Sequence, residues 1–147
     1  MVEFVNLQNA RPGGYDKVIA DIAERRVCPF CADQLRNFHK NPIEQKKYWI
    51  VTDNMYPYKP TRLHKLVIHI EHIEHAKDIS QEAWIELQEI LLEITEKNGV
   101  DGGTFIMRFG ETRFTGASVT HLHANIAQSD PEDAMYDSKK GLITRIG

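Results

Sequence analysis

The segment Gly116-Ala117-Ser118-Val119-Thr120-His121-Leu122-His123-Ala124-Asn125-Ile126 limits the possible folds of this chain more than any other. Its second half alternates polar and apolar residues with a period of two, the period of a half-buried strand. His121, His123 and Asn125 then share one face, and Leu122, Ala124 and Ile126 the other. The apolar set can enter a core. The polar set stands as a row of two imidazoles and an amide on the open face, and it needs a sheet beneath it.

The rest of the chain supplies that sheet. Tyr48 to Thr52 is rich in β-formers and reads as a strand, followed by the proline-broken loop Asn54 to Pro60. His64 to His72 reads as a second strand, Gly103 to Phe109 as a third, Val119 to Ala127 as a fourth and Leu142 to Ile146 as a fifth. The clearest element is a helix from Gln81 to Lys97, with Ser80 as its N-cap and Asn98-Gly99 as its stop. Trp84, Leu87, Ile90, Leu91 and Ile94 form its apolar stripe. A shorter helix is predicted over Tyr15 to Arg26 from Val18, Ile19 and Ile22. Short connections between the later strands favour antiparallel pairing. The expectation is an α+β domain spanning 1–147, with 1–14 irregular, a mainly antiparallel five-stranded sheet, and two helices packed mainly on one face.

Bulk composition removes several function classes. With 18 Lys and Arg against 21 Asp and Glu, the formal net charge is -3 and no basic stripe appears, so duplex nucleic acid is not an expected partner. Small anions remain open, because a few local donors suffice to bind them. Met1 to Tyr15 has no apolar signal core, and no apolar run is long enough to span a bilayer. One close cysteine pair builds no secreted disulfide framework, so the reading is cytoplasmic, with no membrane partner.

The histidine row suits phosphorus chemistry. A neutral imidazole is nucleophilic near pH 7. Attack on an α-phosphate would give a phosphoramidate, with the leaving group protonated as it departs. The adjoining glycine and Ser118 could give an amide and a hydroxyl to phosphate oxygens. Cys28-Pro29-Phe30-Cys31 offers two thiolates, half of a tetrahedral metal site, with His69, His72, His75 and His121 as candidates for the other half. A redox pair would instead open a helix within a βαβ unit, whereas this pair ends a helical stretch.

Several motifs in one order resemble the histidine-triad family. Gly116-Ala117-Ser118-Val119 followed by His121-Leu122-His123-Ala124-Asn125 is similar to the family's Gly-Gln-Ser-Val approach and His-x-His-x-His signature. Asn54-Met55-Tyr56-Pro57, His64-Lys65-Leu66-Val67-Ile68 and His72 resemble the stretch upstream of it. The resemblance runs from the cysteine pair to Gln128.

It implies that His123 is the nucleophile, that His64 supports the row, that Asn54 contacts ribose and that Ser118 contacts phosphate. Thr52 and Asp53, beside Asn54, could serve the ribose instead. It also selects His72 and His121 to complete a structural zinc site with Cys28 and Cys31. The implied activity is cleavage at the α-phosphate of a nucleoside 5'-phosphate derivative, either a dinucleoside polyphosphate or a nucleotide phosphoramidate. Water or phosphate would accept the nucleotidyl group. The ligand is a small nucleotide, and the implied assembly is a homodimer.

Three positions depart from the family pattern. Asn125 replaces the third histidine of hydrolases, where transferases and phosphorylases carry glutamine. Ala117 replaces glutamine, and Ala127-Gln128 replaces Pro-Arg. Asn125 keeps an amide but cannot act as an acid. These changes leave room for a nucleotidyltransferase, or for a non-catalytic nucleotide- or protein-binding module. A weaker third reading is a zinc hydrolase using His121 and His123 as ligands and Glu111 as base. Arg108 and Arg113 could reach a phosphate chain or could simply be solvated. Tyr56, Tyr58 and Trp49 could border a base pocket.

Overall fold

Strand alternation gives the sheet one face for the core and one for chemistry. The structure, a computed structural model, describes residues 3–147. Strands β1 (Ile43–Gln45), β2 (Trp49–Asp53), β3 (Thr61–His69), β4 (Thr104–Arg108) and β5 (His123–Ser129) form one sheet in the order β1-β2-β3-β5-β4. Every neighbouring pair is antiparallel. The helices are α1 (Tyr15–Arg25), α2 (Ala32–Phe38), α3 (Gln81–Lys97) and the single turn α4 (Thr112–Thr115). No helix among the described residues is long and apolar enough to cross a membrane.

The α+β class and the five antiparallel strands agree with the sequence reading, but the fifth strand is a different one. Leu142 to Ile146 forms no strand. Ile143 and Ile146 are 72% and 81% exposed, so this segment has no core to bury an apolar face in. β1 takes the place at the sheet edge, where it pairs Ile43 with Thr52. At three residues it is too short to leave a periodic signal. Of the segment expected to be irregular, Leu7–Asn9 makes one 3-10 turn and Val5 bridges to Val119. Met1 and Val2 lie outside the described residues.

The helices do not share one face. Ala83, Leu87, Ile90 and Ile94 of α3 pack with Trp49, Val51, Val67, Ala124 and Ile126. Leu35 of α2 packs with Ile50, Leu66 and Ile68, the residues of opposite parity on the same strands. Ile19 and Ile22 of α1 join Val5 and Val119. α3 begins and ends as its sequence signals predict. Ser80 Oγ accepts from the Ala83 amide at 3.1 Å, and Gly99 takes φ 59°.

The α3 stripe holds at Leu87, Ile90 and Ile94 and differs at its first turn. Ala83 is fully buried, while Trp84 is 42% exposed. The Trp49 indole lies under this turn and donates to the Ala83 carbonyl at 2.7 Å, which leaves space only for a small residue there. Trp49 is therefore core on the α3 side and does not border a base pocket.

Candidate functional site

His121 and His123 serve two different places. β5 begins only at His123, and His121 precedes it in a bend. The His121 ring is fully buried, with Nδ1 3.3 Å from Cys28 Sγ and 3.8 Å from Cys31 Sγ. His72 lies beyond the end of β3 and places Nδ1 3.4 Å from Cys31 Sγ. The ligand atoms of Cys28, Cys31, His72 and His121 all lie within 4.8 Å of one another. Tetrahedral zinc with bonds of about 2.0–2.3 Å separates its ligands by roughly 3.5 Å, so these spacings fit.

The second nitrogens are arranged as metal ligation requires. His121 Nε2–H donates to the His69 carbonyl at 2.7 Å, and His72 Nε2–H donates to Glu74 Oε1 at 3.3 Å. Each imidazole thus presents a bare Nδ1 to the sulfurs. Burial, reinforced by Cys31 nearby, pushes the Cys28 thiol up to about 12, so a thiolate here needs a cation beside it. The pair follows α1, as expected, yet Cys31 also caps α2, the placement asked of a redox pair. The two imidazoles against the sulfurs are what mark it as a metal group. His69 and His75 stand outside the cluster.

His123 faces a cleft bounded by α1, α2, the Asn54–Tyr58 loop and the Gly116–Val119 turn. Its Nδ1 donates to the His121 carbonyl at 2.7 Å, which leaves Nε2 unprotonated. Burial pushes the ring down to about 4, and the Arg108 guanidinium adds to the push. Phe30 stands edge-on at 5.1 Å between centroids. The result is a neutral, oriented imidazole at the wall of a cavity.

Asn125 stands next in the row and is braced from behind. His64 Nδ1 accepts from the Tyr58 amide at 3.0 Å, so its Nε2–H donates to Asn125 Oδ1 at 2.8 Å. Asn54 Nδ2 donates to the same oxygen at 3.2 Å, and its own Oδ1 accepts from the Tyr56 amide at 2.8 Å. With its oxygen filled, Asn125 offers its NH2 group to the cleft it lines. Burial holds His64 below its ordinary value, which keeps this chain of donors neutral.

Of the remaining expected residues, Ser118 and Ala117 line the cleft, and Ser118 Oγ lies 2.6 Å from the Tyr15 hydroxyl. Asp53 does not join them. It shares the parity of Trp49 and Val51, so it projects to the α3 side, exposed and 2.6 Å from Lys65 Nζ. Arg113 is exposed and paired with Glu111, Glu111 does not line the cleft, and His121 and His123 do not converge on one metal. Arg108, Tyr56 and Tyr58 do line the cleft.

Sequence reasoning missed Arg11, Tyr15, His39 and Arg145, all of which line the cleft. They come from the loop before α1, from α1, from the end of α2 and from the C-terminal tail, and none belongs to a local motif. Tyr15 carried a weak signal: it is an aromatic residue in the predicted helix next to the apolar positions.

No family model and no curated protein matches this chain. Solved structures do. A histidine triad nucleotide-binding protein described as hypothetical, from Sulfolobus tokodaii, superposes with a TM-score of 0.56 at 23% identity, covering 76% of each chain. A zinc-bound histidine triad family protein from Mycobacterium smegmatis gives 0.56 at 20% identity over 76% of this chain and 81% of that one. A HIT family hydrolase from Clostridium thermocellum gives 0.53 at 20% identity over 82% and 96%.

Proposed function

Starting from the histidine-triad fold that this chain has, we propose a nucleotide-processing enzyme that cleaves the α-phosphate linkage of a nucleoside 5'-phosphate derivative through a nucleotidyl-His123 intermediate. One observation carries the reading. His123 is held by its 2.7 Å bond to the His121 carbonyl with Nε2 bare, at the wall of a cleft that also presents Asn125, Asn54 and Ser118. Nε2 attacks phosphorus. The Asn125 NH2 group and the Ser118 hydroxyl donate to the phosphate oxygens as charge builds on them. Asn54 has one amide hydrogen left for the ribose.

Cys28, Cys31, His72 and His121 would hold a zinc ion with no open position, so its role is structural. It would tie the segment between α1 and α2 to the carbonyl that orients His123. The histidine triad family protein from Mycobacterium smegmatis is itself zinc-bound, which supports this assignment.

The test is a covalent label. The protein is incubated with an adenylyl donor labelled at the α-phosphate and quenched in alkali, where phosphohistidine survives. A stable label, absent from His123→Ala, is expected. A folded protein that takes no label from any nucleotide donor is instead a binding module of the same fold.

A further inference from the structure

Three arginines line the cleft, and none pairs with an Asp or Glu among the described residues. Arg11 donates to the Tyr56 carbonyl at 2.6 Å and lies over the Tyr58 ring at 4.9 Å. Arg108 donates to the Thr115 carbonyl at 3.1 Å, to Thr144 Oγ1 at 2.9 Å and to the Arg145 carbonyl at 2.7 Å. Arg145 donates to the carbonyls of Gln8 at 3.1 Å and Gly147 at 3.4 Å. The acceptors of Arg11 and Arg108 are neutral, and no Asp or Glu lines the cleft. Outside the cleft, Arg25 pairs with Asp21, Arg62 with Asp130 and Arg113 with Glu111. One concavity thus holds three arginines and no Asp or Glu, in a chain whose net charge is -3.

The tail that carries Arg145 is pressed against the Gly116–Val119 turn. Gly116 has φ 69°, and a Cβ there would meet Arg145 Cγ at 3.2 Å. The next residue, Ala117, contributes only a methyl group.

The row behind the nucleophile also lacks an acid. The Asn125 amide has no proton to transfer, and the His64 Nε2–H is spent on Asn125 Oδ1. An amine leaves phosphorus only once protonated. A phosphate leaves as a stable anion and needs positive charge nearby instead of a proton.

We infer that Arg145, held in place by Arg108, forms a subsite for a phosphate or polyphosphate anion, so that the cleft selects nucleoside phosphoanhydrides over phosphoramidates. The inference rests on the nucleotidyl-His123 reading. His123 Nε2 bonds to the α-phosphorus, and the bond from that phosphorus to the bridging oxygen breaks. The electron pair stays on that oxygen, now a terminal oxygen of the departing anion, while Nδ1 keeps its proton on the His121 carbonyl. In the second half, either an anionic phosphate oxygen or a water that loses a proton to solvent attacks phosphorus. The N–P bond then breaks and its electron pair returns to Nε2.

The experiment measures kcat/KM for diadenosine triphosphate and for adenosine 5'-phosphoramidate with the full chain, Arg145→Gln and Arg145→Lys. The wild type is expected to favour the anhydride at least about tenfold, the scale of one charge-assisted hydrogen bond. Arg145→Gln should lower turnover of the anhydride at least roughly fivefold more than that of the phosphoramidate, and Arg145→Lys should recover part of the difference. Equal losses on both substrates, or a wild-type preference for the phosphoramidate, overturn the subsite while leaving the nucleotidyl-histidine reading intact. If neither compound labels His123, both readings fall together. Chasing the labelled enzyme with inorganic phosphate or 18O-water then separates the sources of the anion. Nucleoside diphosphate formed in the wild type and lost in Arg145→Gln shows the site receiving an acceptor phosphate. Release only to water confines the site to the leaving group.

Discussion

On the α3 side of the sheet, Trp49, Val67, Leu122 and Ala124 are fully buried within one apolar cluster. On the cleft side, the strands that carry three of these residues present Thr52, His64, His123 and Asn125, each holding a hydrogen bond in a defined direction. The first face stabilises the fold by removing apolar area from water, and a lost methylene there costs stability. The second face costs desolvation and regains it bond by bond, and what it yields is atoms with fixed lone pairs and protons. The cluster of Cys28, Cys31, His72 and His121, which could hold a metal, stands beyond the end of β3 and the start of β5.

The largest expected effect lies at that cluster. Full-length protein should carry one zinc per chain by mass spectrometry, and chelation or Cys28→Ser should lower Tm by about 10 °C or more, since metal binding and folding are coupled. A chain that folds with the same Tm and no metal would remove the link between the cysteine pair and the orientation of His123.

Next comes the apolar face. Leu87→Ala is expected to cost about 2–5 kcal/mol in urea unfolding, with the histidine label per folded molecule unchanged. The contrast between the faces breaks if the folded variant loses its label, or if His123→Ala destabilises the chain as much as Leu87→Ala does.

The smallest effect is in the pH dependence of the cleft face. Burial lowers the pKa values of His39 and His64. The unfolded chain therefore takes up protons first as pH falls below about 6.5. Stability is fully present above that value and is lost as pH drops toward the folded values. At fixed zinc, urea midpoints should fall between pH 7.5 and pH 5, and the fall should be shallower in His39→Gln. An equal slope in the variant would place the acid sensitivity elsewhere.

Much of this was legible in the chain. The parity of Leu122, Ala124 and Ile126 against His123 and Asn125 sorted β5 correctly, because a strand allows only two directions. The same parity separates Asp53 from Asn54 across the edge of β2, and adjacency to Asn54 had concealed it. Trp84 was misplaced because a helix stripe can shift by one residue when a large neighbour, here Trp49, takes up the space. β1 and the absence of a strand at the C-terminus left no trace, since three residues cannot show a period and an apolar pattern does not reveal whether a core awaits it.

The sequence by itself determined what local geometry can enforce: alternate faces on β5, the caps and most of the buried stripe of α3, and two sulfurs brought close by a Cys-x-x-Cys spacing. Only the tertiary structure decided that His121 turns to those sulfurs while His123 turns to the cleft, and that Arg11, Arg108 and Arg145 gather there with no Asp or Glu beside them. Charge compensation depends on which distant segments return to the same place. Arg145 reaches the carbonyl of Gln8 across almost the whole length of the chain, and no periodicity within a segment encodes such a meeting.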